Sequence, residues 1–404
     1  MDNWFKNARF GMFIHYGPYS VAARGEWAYN RERIGAEEYF EKYAKNFKAE
    51  NCHPKEWARL AKDAGVKYTA LTARHHDGFC LWGTKTTDFN AVACGPRKDL
   101  VAEYLAAVRE AGLKAGLYYS VADWRHPDYP GAYSRDWPLA WEGEDKRKRF
   151  VAFYTEQIRE LMTNYGQIDV FWFDGCFPQP LDGEKAIAMI RSLQPGIMIN
   201  NRNGRPYDFL NSEQAVVPAR DGGMWEAGLT LNDSWGYNAG DDNYKSARDV
   251  VKLLLQTAQD GGNLTINVSP AGDGAIPERA AATLREVGEW LRINGEAVYG
   301  SERSPFSWGH SHIITVKGER VYINLHKKMT ELCVAEIKNP VKRVCLLKNG
   351  ADCQFSQTAG GQLTISGLPE TDDLALTIVC ETEGKPEPLV PQTTFWIPGA
   401  EEMK

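Results

Sequence analysis

The 404-residue chain has no run of 18 or more apolar residues, which excludes a transmembrane helix. It has no Cys-x-x-Cys pair. Its eight cysteines, at 52, 80, 94, 176, 333, 345, 353 and 380, are too scattered for a zinc ribbon or a compact disulfide scaffold, and are expected as reduced, mostly buried thiols. It has no basic surplus: the formal net charge is −6, so neither nucleic acid nor an anionic membrane is an expected partner. Internal repeats and low-complexity tracts are absent, and no Gly-x-Gly-x-x-Gly opens a helix after a strand, which argues against a dinucleotide-binding sheet. The first ten residues lack the basic start, apolar stretch and cleavage site of a secretory signal, and the chain reads as cytoplasmic, although a removed signal peptide leaves the same picture.

Aromatic residues are abundant instead. Thirteen Trp, 18 Tyr and 16 Phe exceed what a core of this size needs, and aromatic faces stack well on sugar rings as well as filling cores. From residue 11 to 270, short apolar runs alternate with longer amphipathic stretches. The runs at 11–15, 68–73, 115–119, 170–173, 197–200, 215–217, about 229–235 and 264–268 are short enough to be strands buried on both faces. Helices are predicted from Asp99 to Gly112, over 246–260 with Ser246 and Asp249 in capping-box spacing, and from Pro277 to Asn294. Eight strands alternating with helices over this length predict an α/β fold, a (β/α)8-type barrel over residues 1–298. After residue 300, runs at 313–316, 321–325, 344–347, 363–365 and 374–379 with turn signals between them predict a C-terminal β-sandwich over 299–382, followed by a Pro-containing extended tail over 383–404.

Sites of such barrels lie at the C-terminal ends of the strands. Those ends carry His15, the pair His75-His76, Tyr118, Asp174 and Arg202, so three of only eight histidines collect at one mouth. Asp174 follows Val-Phe-Trp-Phe, and a lone Asp before Gly often only caps a turn. Among these polar strand ends it is instead a candidate nucleophile, kept ionised by Arg202 and the histidines. A glycosidase needs a second carboxyl as proton donor. Glu213, Asp221, Glu226 and Asp233 are the candidates. Glu213, read as opening the sixth strand beside Ala-Val-Val, and Glu226, after Trp225, both fit, and spacing does not separate them. The histidines could also be satisfied core residues or metal ligands. Strand 1 lacks His-x-His, the adjacent His75 and His76 diverge in strand geometry, and His310-x-His312 lies outside the barrel, so neither a metal nor another cofactor is expected.

The segments Arg-Phe-Gly-Met-Phe-Ile-His-Tyr-Gly (9–17), Gly-Glu-Trp (25–27), Arg-His-His-Asp-Gly-Phe-Cys-Leu-Trp (74–82), Gly-Leu-Tyr-Tyr-Ser (116–120), Trp-Phe-Asp-Gly (172–175), the stretch from Trp225 to Asn238, and Gly-Gly-Asn-Leu-Thr-Ile-Asn-Val-Ser-Pro (261–270) resemble the α-L-fucosidases of glycoside hydrolase family 29. The resemblance covers residues 4–380. It implies a catalytic barrel followed by a β-sandwich and hydrolysis of terminal α-L-fucosyl residues of glycans or glycoconjugates with retention. By motif it implies Asp174 as nucleophile and Glu213 as acid/base in preference to Glu226. It implies His15, Glu26, Trp27, His75, His76, Tyr118, Trp172, Arg202 and Trp235 as residues around the sugar, with Trp235 near its methyl group. The Asn-Asp-Ser-Trp-Gly-Tyr wording (232–237) is closer to members acting on α1,3/1,4-linked fucose. An α-L-galactosidase and an inactive carbohydrate-binding protein on the same scaffold are the alternatives.

Overall fold

The computed structural model describes residues 3–131, 137–220, 222–307 and 309–389. Asp221, one of the candidate acids, and most of the expected tail lie outside the described residues. The chain divides into two compact units, one of Phe10–Lys245 with Leu264–Glu286, the other of Met1–Arg9, Ser246–Asn263 and Val287–Lys404.

The first unit is built on a parallel sheet of β1 (Phe10–Ile14), β2 (Tyr68–Arg74), β3 (Lys114–Ser120), β4 (Val170–Asp174), β5 (Met198–Ile199), β6 (Phe209–Glu213), β7 (Met224–Thr230) and β8 (Asn263–Val268). Its order is β5-β4-β3-β2-β1-β8-β7-β6, and a parallel bridge from Asn200 to Phe209 brings the two edges together, so the sheet is a nearly closed barrel. β1, β2 and β8 are buried at every residue, as strands sandwiched between an inner and an outer layer must be. Helices Pro54–Asp63, Leu100–Glu110, Glu144–Asn164 and Gly183–Leu193 separate the early strands along the chain. Asp99 caps the second of these by accepting from the Ala102 N–H at 2.8 Å.

The register of β4 against β3, Tyr118 with Trp172 and Ser120 with Asp174, sets the polar residues of both strands at one end of the barrel. Two expected strands are displaced. The run Ala215–Val217 is not a strand: Val217 is 59% exposed, Pro218 follows it, and Gln214 has a left-handed backbone (φ 54°) that ends the preceding strand. The sixth strand is Phe209–Glu213, so Glu213 closes a strand instead of opening one. The seventh runs over Met224–Thr230, ahead of the expected 229–235.

In the second unit, helix Ala247–Gln259 carries the expected capping box of Ser246 and Asp249. Seven antiparallel strands follow: β9 (His312–Lys317), β10 (Arg320–Leu325), β11 (Glu331–Val334), β12 (Val341–Leu346), β13 (Gln354–Gln357), β14 (Leu363–Ser366) and β15 (Leu376–Thr382). They form a β12-β15-β10-β9 sheet and a β11-β14-β13 sheet, a β-sandwich whose core is aliphatic. β11 and β13 had no apolar run to announce them. β11 alternates exposed and buried residues, and β13 is mostly exposed. Arg9 is buried in this unit, where its guanidinium donates to the carbonyls of Gly261, Gly262 and Ser301. All described cysteines are free, with Cys333 exposed and Cys353 partly so. Among the described residues no helix is long and apolar enough to cross a membrane.

Candidate active site

Asp174 ends β4 with its side chain 16% exposed. Its Oδ2 accepts a 2.7 Å hydrogen bond from the Tyr118 hydroxyl, and its Oδ1 accepts one of 2.6 Å from Arg202. Burial alone pushes this carboxyl up, but the Arg202 guanidinium, helped by the Tyr118 hydroxyl, outweighs it and holds Asp174 below its usual range, so it stays ionised in a mostly dry setting. Arg202 sits in the short turn Asn201–Asn203 after β5, and its second terminal nitrogen donates to Glu213 Oε2 at 2.6 Å. One guanidinium therefore holds both carboxylates. Glu213 is 44% exposed at the end of β6, not enclosed by an apolar strand as its sequence context suggested. The guanidinium also lies over the Trp172 ring, 4.9 Å from its centre.

The histidines are fixed from behind. Asn267 on β8 donates its amide N–H to the Trp235 carbonyl at 2.7 Å, which leaves its Oδ1 to accept from His15 Nδ1, also at 2.7 Å. Ser120 donates to the Ala122 carbonyl at 3.1 Å, so its oxygen accepts from His76 Nδ1 at 2.6 Å. Both rings thus carry their proton on Nδ1 and keep Nε2 as an acceptor. His76 Nε2 lies 3.8 Å from Asp174 Oδ2. Burial pushes His15 and His76 down to about 4 and His75 well below its ordinary value, so all three are neutral at neutral pH. His75 stacks on Tyr118 with ring centres 5.5 Å apart, and its Nδ1 is buried without a hydrogen-bond partner. Glu26 is buried and accepts from the Gly236 N–H at 2.7 Å. Burial raises its carboxyl despite that bond, and Glu213 and Asp174 add to the rise.

These side chains line one cavity of about 210 Å³, below the usual range of about 300–1,000 Å³ for drug-sized ligands. His15, Glu26, Trp27, His75, His76, Tyr118, Trp172, Asp174, Arg202, Glu213 and Trp235 all reach it. Glu226 does not. It is 0% exposed inside the barrel, with Oε1 accepting from the Trp172 indole N–H at 3.0 Å and Oε2 against the Tyr68 hydroxyl, so it does not face the space that the other site residues line. Asp233 is exposed and paired with Asn243, away from the cavity lining. His310 and His312 lie in the sandwich unit, and no group of three or more potential metal-holding side chains occurs among the described residues.

Phe13, Trp137, Ser212 and Gly228 complete the lining and were not anticipated. Trp137 packs on Trp27 and His76, with ring centres 5.4 and 5.0 Å away. Its signal was the long segment 121–143 after β3, which carries Trp124, Trp137 and Trp141 at the end of the barrel where sites form. Asn267 also had a signal: a fully buried amide inside the apolar run Leu-Thr-Ile-Asn-Val is costly unless it holds something.

Two carboxylates on a shared guanidinium, neutral imidazoles and tryptophan walls, all at the C-terminal mouth of a parallel barrel, define a glycoside hydrolase. The alpha-L-fucosidase family model matches residues 1–296. Plasma alpha-L-fucosidase of Homo sapiens is 33% identical over 73% of this chain and 68% of its own, and tissue alpha-L-fucosidase of Rattus norvegicus 32% over 75% and 70%. Among solved structures, alpha-L-fucosidase isoenzyme 1 from Paenibacillus thiaminolyticus superposes with a TM-score of 0.86 at 36% identity, covering 94% of this chain and 98% of that one. The Thermotoga maritima alpha-fucosidase in complex with a mechanism-based inhibitor gives 0.80 at 32% identity, over 94% and 96%. The chain belongs to the alpha-L-fucosidase family. The cytoplasmic location expected from the first residues does not stand, because relatives this similar include enzymes named for plasma.

Proposed function

We propose that the chain is a retaining, exo-acting α-L-fucosidase in which Asp174 is the nucleophile and Glu213 the acid/base. Asp174 attacks the anomeric carbon while the bond to the aglycone oxygen breaks, and Glu213 gives its proton to that oxygen. A water then gives a proton to Glu213 and attacks the same carbon, releasing fucose and freeing Asp174. The observation that carries this reading is the shared grip of Arg202, which keeps Asp174 ionised and brings Glu213 to the same cavity. Exo action is supported by a cavity with room for one ring.

The remaining cavity residues fit the sugar. His15 and His76 offer Nε2 acceptors to ring hydroxyls, His75 Nδ1 adds a buried polar atom, and Glu26 and Trp27 extend the polar side. Trp172, Trp235 and Phe13 supply an apolar wall for the methyl group. We further read the natural substrates as fucosylated glycans with α1,3/1,4-linked fucose, on the motif at 232–237. We assign 1–298 and 299–382 in chain order as the parts that carry the barrel strands and the sandwich strands, since the parallel strands end at Val268 and the antiparallel ones begin at His312, although Met1–Arg9, Ser246–Asn263 and the chain from Val287 belong to the second compact unit.

Proton NMR of p-nitrophenyl α-L-fucoside hydrolysis is expected to show α-L-fucose as the first anomer released; β-L-fucose first would overturn retention. Asp174→Ala is expected to lower kcat by about 10⁴-fold or more. Glu213→Ala is expected to be rescued by azide with a product of retained configuration, and rescue confined to another carboxyl variant would move the acid/base assignment.

A further inference from the structure

Glu226 takes no part in the proposed mechanism, yet it occupies a costly position. It lies on β7 inside the barrel, fully removed from solvent. Its Oε1 accepts from the Trp172 indole N–H at 3.0 Å, and its Oε2 meets the Tyr68 hydroxyl, which shares a 2.9 Å hydrogen bond with Thr265. These hydrogen-bond partners are all neutral, and burial pushes the carboxyl up despite them. Burying a carboxyl among neutral partners is costly, so its place here needs a reason.

The reason lies one side chain away. Trp172 is two residues before Asp174 on β4, and its indole is tied at one end by Glu226. Over its ring sits the Arg202 guanidinium, which grips Asp174 and Glu213 at 2.6 Å each. A tilt of the indole would move the surface on which Arg202 rests, and with it both carboxylates. The Phe13 ring meets Trp172 edge-on at 5.3 Å, and Tyr118 stacks on it at 5.7 Å, so packing fixes the indole's faces while Glu226 fixes its N–H edge.

We propose that Glu226 is a positioning residue that pins the Trp172 indole, and through it sets the seat of Arg202 and the spacing of Asp174 and Glu213. The inference rests on the function proposed above and adds to it a residue that never touches the sugar.

Glu226→Gln keeps an acceptor for Trp172 and turns an amide donor toward Tyr68. Its kcat on p-nitrophenyl α-L-fucoside is expected within about threefold of the unmodified enzyme, with an unchanged pH profile. Glu226→Leu removes the acceptor, and kcat is expected to fall about 100-fold, the scale of loss when reacting groups shift by about 1 Å, with a much smaller change in the inhibition constant of free L-fucose. The double variant Glu226→Leu/Trp172→Phe is expected to be no slower than Trp172→Phe alone, since the two losses share one path.

Full activity of Glu226→Leu, or additive losses in the double variant, would overturn the proposal. Loss of activity in Glu226→Gln with azide rescue would make Glu226 the proton donor, overturning this proposal and the Glu213 assignment together. If Glu226→Leu does not fold, an unchanged kcat in Trp172→Phe overturns the proposal instead. Hydrogen exchange at the Trp172 indole N–H, followed by NMR, needs no substrate. Protection retained in Glu226→Gln and lost on removal of the acceptor supports the pin, and equal protection in all variants refutes it, even if the enzyme proves inactive on every fucoside.

Discussion

Inside the barrel unit, Asp174, Arg202, Glu26, Glu226 and three histidines share the interior with aromatic rings, and Arg74 and Asp123 form a buried ion pair behind them. The sandwich of β9–β15 encloses Ile314, Val321, Ile323, Leu363, Ile365 and Ile378 with aliphatic neighbours, and its buried polar side chains Thr315, Asn324 and Thr377 bond to one another. The two interiors hold together for different reasons. In the sandwich, burial of apolar area supplies most of the stabilisation and each side chain acts nearly alone. In the barrel, each buried charge is tolerable only because a named partner offsets its desolvation, so removing one partner strands the next. The same substitution size therefore has different consequences: loss of chemistry in one interior, loss of stability in the other.

The strongest way to test this contrast is Arg202→Met. It strips both carboxylates of their common partner while preserving much of the side chain's length, and kcat/KM is expected to fall roughly 10²–10³-fold, as when a donor to developing charge is removed. Arg202 is what holds Asp174 low against the upward push of burial, so its loss should also move the acid limb of the pH–rate profile to higher pH. An acid limb that stays in place would mean that another group sets it.

Ile378→Ala probes the other interior. Ile378 is fully buried on β15, where it pairs with Ile323 of β10 and Leu346 of β12. Its truncation is expected to cost about 2–5 kcal/mol in urea unfolding, with kcat per folded molecule unchanged. A matching fall in kcat would contradict this separation of roles.

The smallest effect is the acid sensitivity of the barrel interior. His15 and His76 are pushed from 6.5 down to about 4 in the folded protein. The unfolded chain therefore binds more protons between those values, and stability is retained above pH 6.5 and lost as pH falls toward 4, by about 1–3 kcal/mol per ring. Replacing His76 by Gln should flatten part of that slope in pH-dependent unfolding, and an unchanged slope would contradict the assignment.

Much of the fold was legible because its signals are local. The short apolar runs marked β1 to β4 and β8, and Ser246 with Asp249 marked a helix start. The sixth and seventh strands were misplaced because Ala-Val-Val looks like a strand, while the true sixth strand, Phe-Leu-Asn-Ser-Glu, meets the barrel's seam at Phe209 and hides its period behind the polar residues that follow. Of the cavity residues, those ending strands were readable as a set. Trp137 was signalled only by the tryptophan-rich stretch that carries it, and its place in the cavity rests on ring packing against Trp27 and His76.

By itself the sequence determined the alternation that makes a barrel, the antiparallel character of the strands beyond it, and the collection of His15, His75, His76, Asp174 and Arg202 at strand ends, because strand length and side-chain period are properties of neighbouring residues. Only the tertiary structure shows how different the surroundings of Glu213 and Glu226 are. Both carboxyls sit near strand residues in the chain, but β6 ends at the mouth beside Arg202 whereas β7 carries Glu226 into the dry interior beneath Trp172. Which of them meets solvent and a guanidinium, and which meets an indole and a phenol, depends on how distant strands align in the sheet, and no local pattern encodes that register.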